Sequence, residues 1–124
     1  MSGPRFFALT SALMLTAGCT SSTAPAGGGG GGGGATCTGS NAAVSVCDNK
    51  FAPTSSTITA GSSITWTWKG ANSHNVTFQS GSLSGTGSST MAAGTFTQLF
   101  AAPGVYTYEC TIHGAVMSGT VTVN

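Results

Sequence analysis

Short runs of alternating apolar and polar residues fill the chain from about residue 43 to its end, and turn-forming residues separate them. Such runs are typical of β-strands that bury one face. Their apolar positions are Val44/Val46, Ile58, Ile64/Trp66/Trp68, Val76/Phe78, Phe96 to Phe100, Tyr106/Tyr108/Cys110 and Val121/Val123. The pattern predicts an all-β domain of about seven to eight strands, folded as a sandwich or a barrel.

Helices are not expected in this region. Gly, Ser, Thr and Ala dominate the composition, whereas Glu, Lys, Arg and Gln, which form helices well, are scarce. The residues between the runs are those that favour turns. They are Asp48-Asn49, Ala60-Gly61-Ser62, Gly70-Ala71-Asn72, the segment 80–89 and Ala102-Pro103-Gly104. The segment 80–89 is expected to be a long flexible connection.

Residues 1–18 have the form of a secretion signal: Arg5 is followed by an apolar run that ends at Leu15, and Ala17-Gly18 precede Cys19. Small residues before a cysteine resemble the bacterial lipobox, in which the cysteine is acylated and becomes the mature N-terminus. We therefore predict lipid anchoring at Cys19. Ordinary signal cleavage is the alternative, and the apolar run is too short for a comfortable transmembrane helix.

Residues 19–36 contain an unbroken run of glycines from Gly27 to Gly34, which cannot bury apolar surface. This segment is predicted to be a flexible linker, and residues 37–124 the folded domain. The chain is expected to be exported and anchored to a bacterial membrane, in the periplasm or on the cell surface.

Charged side chains are rare after the linker, where Asp48, Lys50, Lys69 and Glu109 sum to zero. The absence of a basic patch argues against nucleic-acid binding. Hydrolases need positioned carboxylates, and the whole chain has two. We therefore do not expect an enzyme.

Cys37 and Cys47 lie ten positions apart in a chain predicted to be exported. A disulfide is the simplest explanation, because exported proteins keep such bonds. The alternative is a metal-binding pair, but neither cysteine has a second Cys or His close in the sequence.

Three potential metal ligands, Cys110, His113 and Met117, lie within eight residues of the predicted last hairpin. Strand alternation places Cys110 on the core face, and Gly114 permits a sharp bend after it. The only other histidine, His74, follows a predicted turn and could approach from a neighbouring strand.

Two histidines, a thiolate and a thioether are the ligands of a blue-copper site, which exchanges one electron between Cu(I) and Cu(II). Zinc is the rival metal, but structural zinc prefers more thiolates or histidines, and catalytic zinc needs a water position and a nearby carboxylate base. We therefore predict one copper ion. Met91 is expected to pack in the core or at an edge instead of binding metal.

The chain resembles the plastocyanin, pseudoazurin and amicyanin branch of the cupredoxins, which are blue (type 1) copper proteins, over about residues 43–124. The matching segments are Asp48 to Phe51 with Pro53, Ile58 to Trp68, Ser73 to Phe78, Gly104 to Tyr108, and Cys110-x-x-His113 followed by Met117. The resemblance implies a Greek-key β-sandwich with copper near one end. It also implies that Asn75 braces the ligand loop and that His113 is nearly exposed within an apolar patch.

The chain departs from these relatives at three places. The spacing from His113 to Met117 lies between those of plastocyanins and amicyanins. Ile112 replaces a common proline, so its N–H is free to donate to the Cys110 sulfur and raise the reduction potential. Glu109 occupies the position of a tyrosine at which plant plastocyanins dock partners, so the expected electron port is the His113 end alone.

These features favour a monomeric electron carrier whose redox partners dock at Gly114, Ala115 and Val116 around His113. A copper-binding, copper-delivery or copper-sensing lipoprotein with the same ligands is the alternative. A third hypothesis is a metal-free structural or adhesive β-sandwich, in which Cys110 binds no copper.

Overall fold

A computed structural model describes residues 36–124. The predicted signal, Cys19 and nearly all of the predicted linker lie outside the described residues. Within them the chain forms eight strands and a one-turn 3₁₀ helix, Gly81–Leu83. The strands are β1 Ala43–Cys47, β2 Lys50–Ala52, β3 Ser55–Ile58, β4 Ser62–Trp68, β5 Thr77–Phe78, β6 Thr95–Phe100, β7 Gly104–Cys110 and β8 Gly114–Val123. No helix in residues 36–124 is long and apolar enough to cross a membrane.

The strands form two four-stranded sheets, in the orders β2-β1-β4-β6 and β3-β8-β7-β5. The chain passes repeatedly between the two sheets, and β1 pairs with β4, and β3 with β8, in parallel. The predicted all-β, Greek-key sandwich is confirmed, and the barrel alternative is wrong. Strand β2, with three residues directly after a tight turn, is too short to show an alternating pattern.

The core lies between the sheets and is rich in aromatic side chains. Trp66 on β4 is fully buried, and its ring meets Phe78 and Tyr108 edge-on at centroid distances of 5.9 and 5.3 Å. Such edge-to-face contacts are favourable beyond the area that they bury. Trp66 and Trp68 are core residues, as their shared face with Ile64 predicts.

The β7–β8 hairpin changes register at the end that carries the predicted ligands. Tyr108 pairs with Gly119 and Glu109 with Ser118, but Cys110 pairs with Gly114. Residues 115–117 therefore bulge out at the end of the ladder. Gly114, at φ 62°, has the left-handed backbone that favours glycine and allows this tight return.

A disulfide joins Cys37 to Cys47, with a Cα–Cα distance of 6.0 Å. The segment between them turns back at Ser40, which bridges to Ala43, so the start of the domain lies alongside β1. The disulfide therefore fixes the residue that immediately precedes Asp48.

Candidate metal centre

Three predicted ligands converge between the ends of the strands. The side chains of His74, Cys110 and His113 offer ligand atoms that all lie within 4.8 Å of one another. Cys110 Sγ is 3.8 Å from His74 Nδ1 and 3.5 Å from His113 Nδ1. The three residues come from the β4–β5 connection, the end of β7 and the β7–β8 loop, so the cluster depends on the tertiary fold.

Met117, the fourth predicted ligand, is fully buried near the start of β8. Side chains alternate along this strand, so that Met117 shares the inner face with Val121 and Val123. It belongs to the same buried cluster as Cys110. The thioether is therefore on the correct side of the hairpin to face the metal centre.

The backbone of His74 is fixed on both sides. Its N–H donates to the Met91 carbonyl and its carbonyl accepts the Met91 N–H, both at 3.0 Å. The Trp68 indole N–H donates to the same His74 carbonyl at 3.1 Å. Met91 packs against the core as predicted. Its backbone role was not predicted, because this contact forms across a long loop.

Asp48 contacts the far side of the His74 ring, with Oδ1 3.2 Å from Nε2. The N–H groups of Asn72 and Ala71 donate to its carboxylate at 2.9 and 3.1 Å. These two donors, and then His74, lower the pKa of Asp48 to about 2. An ionised carboxylate can only accept hydrogen bonds, so this contact favours a proton on Nε2 and a free lone pair on Nδ1, the ring nitrogen that faces Cys110.

The sequence pattern marks Asp48 as a turn residue and does not show its contact with His74. The contact with His74 joins residues 26 positions apart and becomes visible only in the fold. A usable signal was nevertheless present, because Asp48 is one of just two carboxylates in the chain and lies in a segment of the family resemblance.

Asn75 links the two segments that carry ligands. Its amide nitrogen donates to Thr111 Oγ1 at 2.7 Å and to Thr90 Oγ1 at 3.1 Å, and its Oδ1 accepts the Thr111 N–H at 2.9 Å. The side chain is buried, so these bonds satisfy an amide that is shielded from water. Thr90 ends the long 80–90 connection, which therefore supports the centre although it supplies no candidate ligand.

The loop after Cys110 is closed by a hydrogen bond from the His113 N–H to the Cys110 carbonyl, at 3.0 Å. Ile112 lies in this loop with its side chain exposed. The hydrogen bonds of residues 36–124 do not include one from the Ile112 N–H to Cys110 Sγ. The hypothesis that this N–H tunes the sulfur therefore has no support from the geometry.

Residues 40–124 match the family of copper-binding proteins that contains plastocyanin and azurin. The chain belongs to this plastocyanin/azurin family. It is a blue-copper protein of the cupredoxin type, and its cofactor is copper. No curated protein sequence gives a significant match.

Solved structures of amicyanin are similar to this cupredoxin. A reduced mutant of amicyanin has a TM-score of 0.60 and 27% sequence identity, with 66% of this chain and 80% of that chain covered. An oxidized mutant of amicyanin also has a TM-score of 0.60, with 28% identity and coverage of 73% and 85%. The predicted relationship to the amicyanin branch is thus confirmed.

Copper suits the donor atoms of this cupredoxin. Two imidazole nitrogens and one thiol sulfur already face each other, as a trigonal blue-copper plane requires. Asp48 is occupied by the backbone N–H groups and by Nε2, so it lies behind a ligand and does not compete for metal. Two imidazoles with one buried thiol differ from the thiolate-rich and histidine-rich sets of structural zinc sites.

The surface beside the cupredoxin's metal centre is apolar. His113 is partly exposed, whereas Ile112 and Val116 expose 53% and 82% of their surface. Ala115 between them is exposed as well. The imidazole of His113 therefore lies between the buried thiol and solvent, within a patch that carries no charged side chain of its own.

Proposed function

We propose that this cupredoxin transfers single electrons through one copper ion held by His74, Cys110, His113 and Met117. Copper supplies the one-electron Cu(I)/Cu(II) couple when bound. The observation that carries the proposal is the convergence of two Nδ1 atoms on the buried Cys110 sulfur. Both histidines of the chain are among these ligands, and Asp48 and Glu109 are its only carboxylate side chains, which supports a carrier over a hydrolytic enzyme.

The residues around the ligands support fast electron transfer because they hold the ligands before any metal arrives. His74 is fixed by backbone hydrogen bonds to Met91 and by Asp48, and Asn75 ties its segment to the Cys110 loop. A frame that moves little between the two oxidation states keeps the reorganisation energy of electron transfer low. Fixed outer hydrogen bonds of this kind also set the orientation and basicity of metal ligands.

The proposed electron port is the apolar surface of Gly114, Ala115 and Val116 around His113, to which the exposed side chain of Ile112 adds. An apolar patch beside a redox centre suits brief docking of redox proteins with a similar apolar surface. Because the domain's charged residues sum to zero, electrostatic steering should contribute little to the encounter rate. The domain is proposed to act as a monomer.

We further propose that residues 1–18 direct export and that Cys19 carries a lipid anchor. Residues 19–36 would then act as the linker of the domain at 37–124, in the periplasm or on the cell surface of a bacterium. The signal-like sequence supports this proposal, and the disulfide of Cys37 with Cys47 is compatible with an oxidising compartment.

Electron transfer is tested by cycling the copper-loaded protein between Cu(I) and Cu(II) with chemical redox partners while copper retention is measured. We expect reversible one-electron cycling with the metal retained, and neither property in Cys110→Ser. Rapid loss of Cu(I) to a competing chelator, with poor cycling, would support the copper-delivery or copper-sensing alternative. Failure to bind copper would overturn both functions.

A further inference from the structure

Both carboxylates of the chain lie close to a predicted ligand in sequence or in space, but only one of them contacts a ligand. Glu109 immediately precedes Cys110, yet it lies on the opposite face of β7 and is partly exposed. Among the hydrogen bonds of residues 36–124, none involves its carboxylate. Asp48 is remote in sequence, but its Oδ1 lies 3.2 Å from His74 Nε2.

We propose that Asp48 is a positioning residue of the copper centre, which fixes the His74 tautomer and stabilises Cu(II) relative to Cu(I). The effect on Cu(II) and Cu(I), the second of the two, rests on the proposed function. The first effect concerns only the chain's own atoms. With Nε2–H donated to Asp48, His74 is left with one free lone pair, on the Nδ1 atom that faces Cys110.

The position of the carboxylate is itself well fixed. Both of its oxygens accept backbone N–H groups of the 70–72 turn, and the preceding residue, Cys47, is held by its disulfide. Gly70 passes so close that an added Cβ would overlap the Asp48 carboxylate. A carboxylate held in this way makes a charge-assisted hydrogen bond, which is stronger than a neutral one.

The second effect follows from charge. Oxidation adds one positive charge at the centre, and a negative charge against a ligand favours that state. The Asp48 side chain is 38% exposed, so solvent screens part of the interaction. We therefore expect Asp48 to shift the ratio of Cu(II) to Cu(I) by about tenfold, which is about 59 mV for a one-electron couple.

Asp48→Asn is the informative variant, because it removes the charge in a side chain of the same size whose single amide oxygen can still accept one of the turn's two N–H groups. Glu109→Gln is the matched control, since it removes the same charge beside Cys110 without touching a ligand. Reduction potentials of the copper-loaded proteins are measured at equal ionic strength. We expect Asp48→Asn to raise the potential by about 59 mV, and Glu109→Gln to change it by less than half as much. Equal shifts in the two variants would overturn the charge effect.

The tautomer is tested in the copper-free protein by ¹⁵N NMR of the imidazoles at a pH where His74 is neutral. The wild-type protein should show His74 protonated at Nε2, and Asp48→Asn should weaken this preference, because a neutral amide oxygen accepts the Nε2 proton less strongly than a carboxylate does. A wild-type His74 protonated at Nδ1 would overturn the proposal without any variant, even if Asp48→Asn failed to fold. This measurement does not depend on copper, so it separates failure of the Asp48 role from failure of the proposed function.

Discussion

His74 and the loop after Cys110 are held in place by residues that are not proposed ligands. His74 is fixed by Met91, Trp68 and Asp48, and the Cys110 loop is held through Asn75. These supporting contacts are largely hydrogen bonds between segments that are distant in sequence. At the residue scale, the site is therefore a property of the apo fold, and its supports can be tested without copper.

Asn75→Ala should destabilise the copper-free protein by about 2–4 kcal/mol. The variant removes a buried amide that makes four hydrogen bonds, and it leaves the Thr111 N–H without its acceptor. The measurement is the free energy of unfolding in urea. Asn72→Ala is the control, because only the backbone N–H of that exposed residue contacts the site, and it should cost less than about 0.5 kcal/mol. Equal costs would contradict the bracing role.

At the scale of elements, the β7–β8 hairpin carries three of the four proposed copper ligands, Cys110, His113 and Met117. Its ladder is regular from Gly104 to Glu109 and then skips to Gly114, which leaves 115–117 as the bulge at the metal centre. The regular part depends on a close approach at Gly119, where an added Cβ would overlap the buried Tyr108 ring. The φ angle of Gly119 is not in the left-handed region, so its backbone conformation does not require glycine. Glycine is needed there because a side chain would overlap the Tyr108 ring.

Gly119→Ala should therefore destabilise the protein by about 1–3 kcal/mol, as overpacking in a well-packed core does. The aromatic ring has little freedom to move, because Tyr108 also packs against Phe51 and Trp66. Thermal and urea unfolding measure the effect, with Thr122→Ala on the outward face of the same strand as the control. If Gly119→Ala were as stable as the wild type, the close approach would not exist in solution.

Elements with a strict period of two could be predicted from the sequence. Strand β4 is the clearest example. Ile64, Trp66 and Trp68 alternate with Ser and Thr in the sequence, and these three apolar side chains are the buried ones. The candidate ligands could also be predicted, because the chain has only two histidines and one cysteine on a predicted core-facing strand position, so few sets of metal ligands are possible. The sequence singles out Asp48 only as a rare carboxylate and does not show its partner, and the contacts of Met91 and Thr90 carry no sequence signal. All three depend on how long connections fold back against the ends of the sheets.

The whole domain is small and nearly uncharged, so its stability depends on the aromatic core and on one covalent link. The disulfide closes the start of the domain onto the end of β1, beside the turn that holds Asp48. It contains no metal ligand. We therefore expect it to contribute to stability without being essential for copper binding.

Replacing both Cys37 and Cys47 by Ser should lower the free energy of unfolding by about 3 kcal/mol, because the link restricts the unfolded chain. The copper-loaded variant should keep the absorption spectrum of the wild type. Urea unfolding and the spectrum are measured on the same sample. Loss of the copper spectrum while the variant remains folded would show that the disulfide shapes the metal centre directly.

The visible absorption spectrum after addition of Cu(II) tests the central claim most directly. A thiolate bound to Cu(II) in a trigonal blue-copper geometry gives an intense charge-transfer band in the visible region. We predict this band in the wild-type protein and its loss in Cys110→Ser, with Thr122→Ala, far from the ligands on β8, as a variant that keeps it. Bound Cu(II) without the band, or a band that persists in Cys110→Ser, would contradict a blue-copper centre at His74, Cys110, His113 and Met117.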